Sequence, residues 1–371
     1  MGPKKEGTTR PSFGEEYGKF LKVLYYGASS TVQLYEKKAP MIQPASPSSA
    51  SPSSPVMARL RRASTSKTIR ELYAVKVFRH PKFNSPQIPT YPEDEKPPAL
   101  LCHPNIVAIT DILYNKQADL CLVMPYCSGG NLHSFLSYGG KLRDDLSIEE
   151  VNCLIIQILR AVAFLHENNI AHGDIRPARI LLTARGAVKL GGFGEDEDAV
   201  RALAQLSHNG SSSSGLPAKT RVGSVSSINS SSGLTMCIRQ KITDSSIPWL
   251  PPERFANRRG SQTENFICKD VLNIKAADVW SCGIIYLALR FGQLPWKSAQ
   301  KLDASTSFAD YLRCRCEEDG WGRIQALESR CRNVVYAMLH PDPGLRITAE
   351  EILQSEWALG VAICEVGERG L

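Results

Sequence analysis

Long apolar runs, clustered cysteines and blocks of one charge are all missing from this chain. No apolar stretch approaches the roughly 20 residues a membrane-spanning helix needs, so no transmembrane segment is expected. Met1 to Pro11 is polar and basic with no apolar core, unlike a secretory leader, and Met1-Gly2-Pro3 fits a myristoylation signal poorly. The 11 cysteines are scattered, with only Cys314 and Cys316 close together. That excludes a disulfide framework or a zinc cage and suits a reducing, cytoplasmic setting. The 44 Lys and Arg residues outnumber the 37 Asp and Glu by enough to give a net charge of +7, but they are dispersed. A solvated basic surface is expected rather than a nucleic-acid patch.

What is present is ordinary globular material, 43% hydrophobic over 371 residues. Three β-patterned runs come first: Lys19 to Leu24, Thr31 to Tyr35 and Leu72 to Phe78. Between the second and third, residues 39–70 hold the Ser/Pro tract Pro44 to Pro55, which cannot form a core and reads as a disordered insertion in a hairpin. Within it, Arg61-Arg62-Ala63-Ser64 is a basophilic phosphorylation pattern. Arg79 to Cys102 carries Pro81, Pro86, Pro89, Pro92, Pro97 and Pro98, which argues against a long helix. Val107 to Leu113 and Leu120 to Met124 read as further strands.

The rest is helical in pattern. Leu146 to His166 opens on the capping box Ser147-x-x-Glu150 and repeats Val151, Leu154, Ile155, Ile158, Leu159, Val162 and Leu165 at helical spacing. Helices are also expected over Ala276 to Phe291, Ile324 to Leu339 and Thr348 to Trp357. Residues 195–247 are Ser- and Gly-rich and read as one long loop.

The chemistry-bearing stretch is His172-Gly173-Asp174-Ile175-Arg176-Pro177-Ala178-Arg179, followed by Gly191-Gly192-Phe193-Gly194. It resembles the catalytic loop and metal-binding turn of eukaryotic protein kinases, H-R-D-L-K-P-x-N and D-F-G. Ala74-Val75-Lys76, Val123 to Cys127, Pro251-Pro252-Glu253, Asp278-Val279-Trp280 and Asp342-Pro343-x-x-Arg346 resemble the remaining kinase motifs in their proper order. Tyr286 to Arg290, Cys331 to Tyr336, Arg346 to Ala349 and Ser355 to Trp357 look like the fungal halotolerance and nitrogen-permease-reactivator Ser/Thr kinases, which regulate plasma-membrane transporters.

The resemblance implies an α+β fold of two lobes, a small β-rich N-lobe over 17–125 and a larger helical C-lobe over 126–360. Residues 1–16 would be a disordered N-terminus and 361–371 a tail. It implies Asp174 as catalytic base, Lys76 and Arg176 as phosphate contacts, and an ATP site drawing on Gly27, Val32, Ala74, Lys76, Met124, Tyr126, Cys127 and Leu181. Asp278 would hold the catalytic-loop backbone, and Glu253 with Arg346 would form a structural pair.

The departures are as informative. Only Gly27 survives of the three phosphate-loop glycines, which makes either a stiffer lid or a plain hairpin turn. The acidic partner of Lys76 is sought among Glu93, Asp94 and Glu95, beside Pro97 and Pro98. Gly173 replaces the Arg that reads a phosphorylated activation loop. Arg179 and Gly192 replace both Mg²⁺ ligands, so no metal is expected, and Arg is always charged and cannot ligate one. Either Arg179 joins Arg176 and Lys76 in supplying charge to bound phosphates, or it pairs with Asp174 and blocks the site. A pseudokinase acting as a regulatory or scaffolding partner of an active relative is the favoured expectation. An atypical Ser/Thr kinase working poorly or without Mg²⁺ is the alternative.

Overall fold

The computed structural model describes residues 13–27, 30–39, 69–79, 102–115, 117, 119–136, 146–192, 228–229, 234–237, 243–256, 271–300 and 307–371. The chain divides into two compact units, Met1–Pro97 with Ile109–Tyr126, and Pro98–Ala108 with Cys127–Leu371. The first is β-rich and the second mainly helical, so the fold is the expected two-lobed α+β kinase type.

In the smaller unit, strands β1 (Lys19–Tyr26), β2 (Ser30–Ala39), β3 (Ile69–Phe78), β4 (Asp111–Tyr114) and β5 (Leu120–Pro125) form one sheet in the order β1-β2-β3-β5-β4. All its pairings are antiparallel. β2 and β3 pair as far as Ala39↔Ile69, and residues 40–68 lie outside the described residues, Ser64 included. Because side chains alternate along a strand, Val75, Val77, Cys121 and Val123 fall on one face, where they form a core with Tyr17.

Of the stretch 1–16 read as a disordered N-terminus, residues 1–12 lie outside the described residues and residues 13–16 are helical. Helix α1 spans Phe13–Tyr17. Its aromatic residues seat on the sheet, with the Phe13 ring 5.0 Å from Tyr35 and the Tyr17 ring 5.3 Å from Tyr73. Such paired rings add to the burial gain, so the helix has a partner that its short sequence did not advertise. The strand expected from Val107 begins instead at Asp111. Ile106 and Val107 are buried beside Leu190 in the other unit, where the Val107 N–H donates to the Leu190 carbonyl at 2.9 Å.

In the larger unit, α2 (Leu132–Leu136) precedes α3 (Ile148–Glu167). The Ser147/Glu150 capping box is formed, satisfying N–H groups that a helix start leaves without partners. The strands β6 (Ile170–Ala171), β7 (Ile180–Leu182) and β8 (Val188–Leu190) follow. Two more, β9 (Ile228–Asn229) and β10 (Leu234–Cys237), lie inside the stretch read as one long loop. β10 runs parallel to β6, Met236 opposite Ile170.

After α4 (Glu253–Ala256), helix α5 (Val271–Phe291) is buried around most of its later circumference, including Trp280, Ile284, Ile285 and Leu287. The later helices are α6 (Ser307–Cys314), α7 (Gly322–Gln325), α8 (Ser329–Met338), α9 (Ala349–Leu353), α10 (Glu356–Leu359) and α11 (Glu365–Arg369). The single helices expected over Ile324 to Leu339 and Thr348 to Trp357 are each broken in two. Glu328 accepts from the Arg330 and Cys331 N–H groups and starts α8, and Ser355 accepts from Ala358 N–H and starts α10. A polar side chain that caps a new helix ends the old one. The tail is also structured, as α11. No helix among the described residues is long and apolar enough to cross a membrane.

Candidate active site

The loop after β6 is held from beneath by one carboxylate. Asp278, 1% exposed on α5, accepts the His172 N–H at 2.8 Å and the Gly173 N–H at 2.7 Å. It also accepts from His166 Nε2 at 3.0 Å. Charge-assisted bonds of this kind are the stronger class. Gly173 has φ +78°, a conformation that L side chains avoid, so the Arg expected there in a kinase would strain this backbone. His172 is fully buried. Its Nδ1 accepts the Asp174 N–H at 3.2 Å, and Nε2 then donates to the Gly191 carbonyl at 2.9 Å.

Asp174 projects from this loop with 7% exposure and meets two arginines. Arg176 Nε lies 3.0 Å from both carboxylate oxygens. A 3-10 turn over Pro177–Arg179 swings the chain back, and Arg179 Nε donates to Asp174 Oδ2 at 2.8 Å. The Arg179 carbonyl accepts the Gly191 N–H at 2.8 Å, which ties the turn to the segment carrying Gly192. Gly192 has φ +96°. A Cβ built there would stand 2.8 Å from Arg179 Cδ and 3.3 Å from its Nε. The stem of Arg179 occupies the space where a side chain at 192 would begin. The two departures from the kinase pattern are therefore one structural arrangement.

These residues do not fit Mg²⁺. A guanidinium and a bare backbone stand where two oxygen donors are needed. Among the described residues no group of three or more His, Cys, Asp or Glu is gathered to hold a metal.

The smaller unit carries its own set. Val32 pairs with Lys76, Lys76 with Leu122 and Ala74 with Met124. By strand alternation these side chains share the face opposite the α1 core. Lys76 Nζ stands 5.0 Å over the Phe78 ring. The Gly27 N–H closes on the Ser30 carbonyl at 2.8 Å, and the Tyr126 N–H on Leu72 at 3.0 Å.

Cys127 and Leu181 belong to the larger unit. Burial pushes the Cys127 thiol pKa up, against the pull of Lys189. Leu181 sits on β7 opposite Lys189 of β8. Phe193, Glu93, Asp94 and Glu95 lie outside the described residues. Arg346 forks onto Glu253 at 2.8 and 3.1 Å, with its guanidinium 5.0 Å over Trp280.

Asn105 was missed by sequence reasoning. It is fully buried, its Nδ2 serves Gln157, Val188 and Gly367, and its carbonyl accepts the Leu190 N–H at 2.7 Å. It thus supports the strand that leads into Gly191 and Gly192. The polar residue set among apolar ones in His103-Pro104-Asn105-Ile106-Val107 was the available signal.

Comparison with known proteins is consistent with this geometry. The sequence model described as protein kinase domain matches residues 60–212 and 247–358. The serine/threonine-protein kinase hal4 of Schizosaccharomyces pombe is 30% identical over 363 residues, which is 97% of this chain and 46% of that protein. The serine/threonine-protein kinase HAL4/SAT4 of Saccharomyces cerevisiae is 29% identical over 361 residues, 96% of this chain and 48% of that protein. The serine/threonine-protein kinase HAL5 of Candida glabrata is 26% identical over 271 residues, 70% and 28% of the respective chains. The chain spans about half the length of the first two relatives.

Proposed function

The chain belongs to the protein kinase family, and from that premise we propose that it is a pseudokinase, a regulatory or scaffolding module built on a Ser/Thr kinase fold. The observation that carries this reading is the clamp on Asp174. A general base must be open to the hydroxyl whose proton it takes, and this carboxylate is bridged by Arg176 and Arg179. Phosphoryl transfer also relies on metal to neutralise charge on the phosphates. Losing one electrostatic clamp commonly costs about 3 kcal/mol of transition-state stabilisation, and here both ligand positions are changed. Binding of ATP, which kinase domains in general use, is assigned to the Val32, Ala74, Lys76 and Met124 face without a requirement for Mg²⁺. The partner would be a protein, with an active kinase relative the favoured class.

The competing reading is an atypical Ser/Thr kinase, favoured by the retention of Lys76 and Asp174. One experiment separates the two: thermal unfolding with ATP, with and without Mg²⁺, alongside transfer of labelled phosphate to a generic protein substrate. Ligand at about a hundred times its Kd stabilises by about 2.7 kcal/mol. The pseudokinase reading expects a shift with ATP alone, no gain from Mg²⁺ and no transfer. Transfer that disappears in Asp174→Asn would overturn it.

A further inference from the structure

We propose that Cys153 and Cys364 form a reversible thiol–disulfide site that fastens the C-terminal helix α11 to α3. The two sulfurs lie 3.7 Å apart although 211 residues separate them in sequence. Cys364 is exposed and Cys153 half-buried, so an oxidant reaches the first and the second waits behind it. A disulfide needs the sulfurs at about 2.05 Å, a closure that side-chain rotation on the exposed segment can supply.

The surroundings are already built to hold α11 in this place. Gln157 Nε2 lies 3.4 Å from Cys153 Sγ, while the Gly367 N–H reaches Cys364 Sγ at 3.3 Å. The Gly367 carbonyl accepts from Asn105 Nδ2 at 3.3 Å, Arg160 pairs with Glu368 at 2.9 Å, and Thr183 Oγ1 donates to the Leu371 carbonyl at 2.6 Å. The buried thiols Cys121, Cys282 and Cys331 lack that access. Burial also raises the Cys153 thiol pKa, which disfavours it as the first sulfur to be oxidised.

The chemistry balances with a hydroperoxide as oxidant. The Cys364 thiolate attacks a peroxide oxygen and the O–O bond breaks. With hydrogen peroxide this gives a sulfenic acid and a hydroxide, which takes up the proton the Cys364 thiol released on ionising and leaves as one water. Cys153 sulfur then attacks the Cys364 sulfur, the S–O bond breaks, and the hydroxide leaves with the thiol proton as a second water. Two thiols are oxidised by two electrons and the peroxide is reduced. A thiol reductant reverses the bond.

The test is graded hydrogen peroxide treatment of the full chain, followed by non-reducing peptide mapping and thermal unfolding. The expected result is a Cys153–Cys364 linked peptide, two hydrogens lighter than its parts, at doses that leave Cys121, Cys282 and Cys331 reduced. A rise in unfolding temperature should accompany it, because the cross-link restricts the unfolded chain. Dithiothreitol should abolish the rise, and so should Cys364→Ser. In Cys153→Ser the oxidation should stop at a sulfenic acid on Cys364 that dimedone traps. If both thiols survive while other cysteines oxidise, or if either links to a different cysteine first, the proposal fails.

Discussion

Arg179 Cδ lies 2.8 Å from the position a Cβ on Gly192 would take. Residue 179 can carry its long stem through this space only because residue 192 has none. Gly192→Asp should therefore be destabilising alone. A side chain at positive φ costs about 1–3 kcal/mol, and the clash adds to it. At roughly 2–4 °C per kcal/mol, the thermal midpoint should fall by several degrees. Arg179→Asn combined with Gly192→Asp should be less damaging than the sum, with a coupling of at least about 0.5 kcal/mol in a double-mutant cycle. Strict additivity in urea unfolding would refute the shared-space account.

Asp174 holds two guanidinium groups together, so its removal should be felt in stability as well as chemistry. The side chains of Asp174, Arg176 and Arg179 are 7%, 16% and 21% exposed. That places the cluster between exposed pairs worth about 0–1 kcal/mol and buried ones that cost about 3–5 when broken. Asp174→Ala should lose on the order of 2 kcal/mol in urea unfolding. An unchanged midpoint would mean that the clamp is not a stable feature of the molecule.

Arg346→Lys should be severe despite conserving charge. The Arg346 side chain is fully buried and forks onto both Glu253 oxygens. Lysine cannot reproduce that fork, and a loss on the order of 3 kcal/mol is expected. Glu253→Gln should lose a comparable amount, and a marked difference between the two would assign the effect to Trp280 packing instead.

The capping box at α9 gives a pH signature. Glu351 accepts the Thr348 N–H and hydroxyl, and these bonds hold its carboxyl pKa below the usual 4.5. A depressed folded-state value means the contribution is present above about 4.5 and is lost as pH falls through the folded value. An NMR titration should place Glu351 below the free-glutamate range, and Thr348→Ala should return it upward. The rise should be partial, because the N–H of residue 348 still donates; no change in that variant would remove the hydroxyl bond, though not the N–H bond, as a cause.

Much of this molecule was legible because kinase-like chemistry is written at short, fixed spacing. Lys76 lies on β3, Asp174 lies in the loop after β6, and Asp278 accepts that loop's N–H groups; the pairing of Arg179 with Asp174 was one of two arrangements the sequence left open. The long-range polar contacts were not legible. Asn105 meets Gln157 and Gly367 from 52 and 262 residues away, a relation that leaves no periodicity in the sequence. Helix breaks at Glu328 and Ser355 were also hidden, since a polar cap inside an apolar repeat looks like an ordinary exposed position. Helix α1 was missed because a segment of one turn has no periodicity to read, and its stability comes from the rings of β2 and β3.

The counter-ions of Asp174 are part of the chain itself, two and five residues further on. A dissolved cation comes and goes with its concentration, whereas a guanidinium keeps its charge at every physiological pH. It arrives with folding and leaves only with unfolding. If the pseudokinase reading proposed above is right, chelators and magnesium depletion have no purchase on this carboxylate.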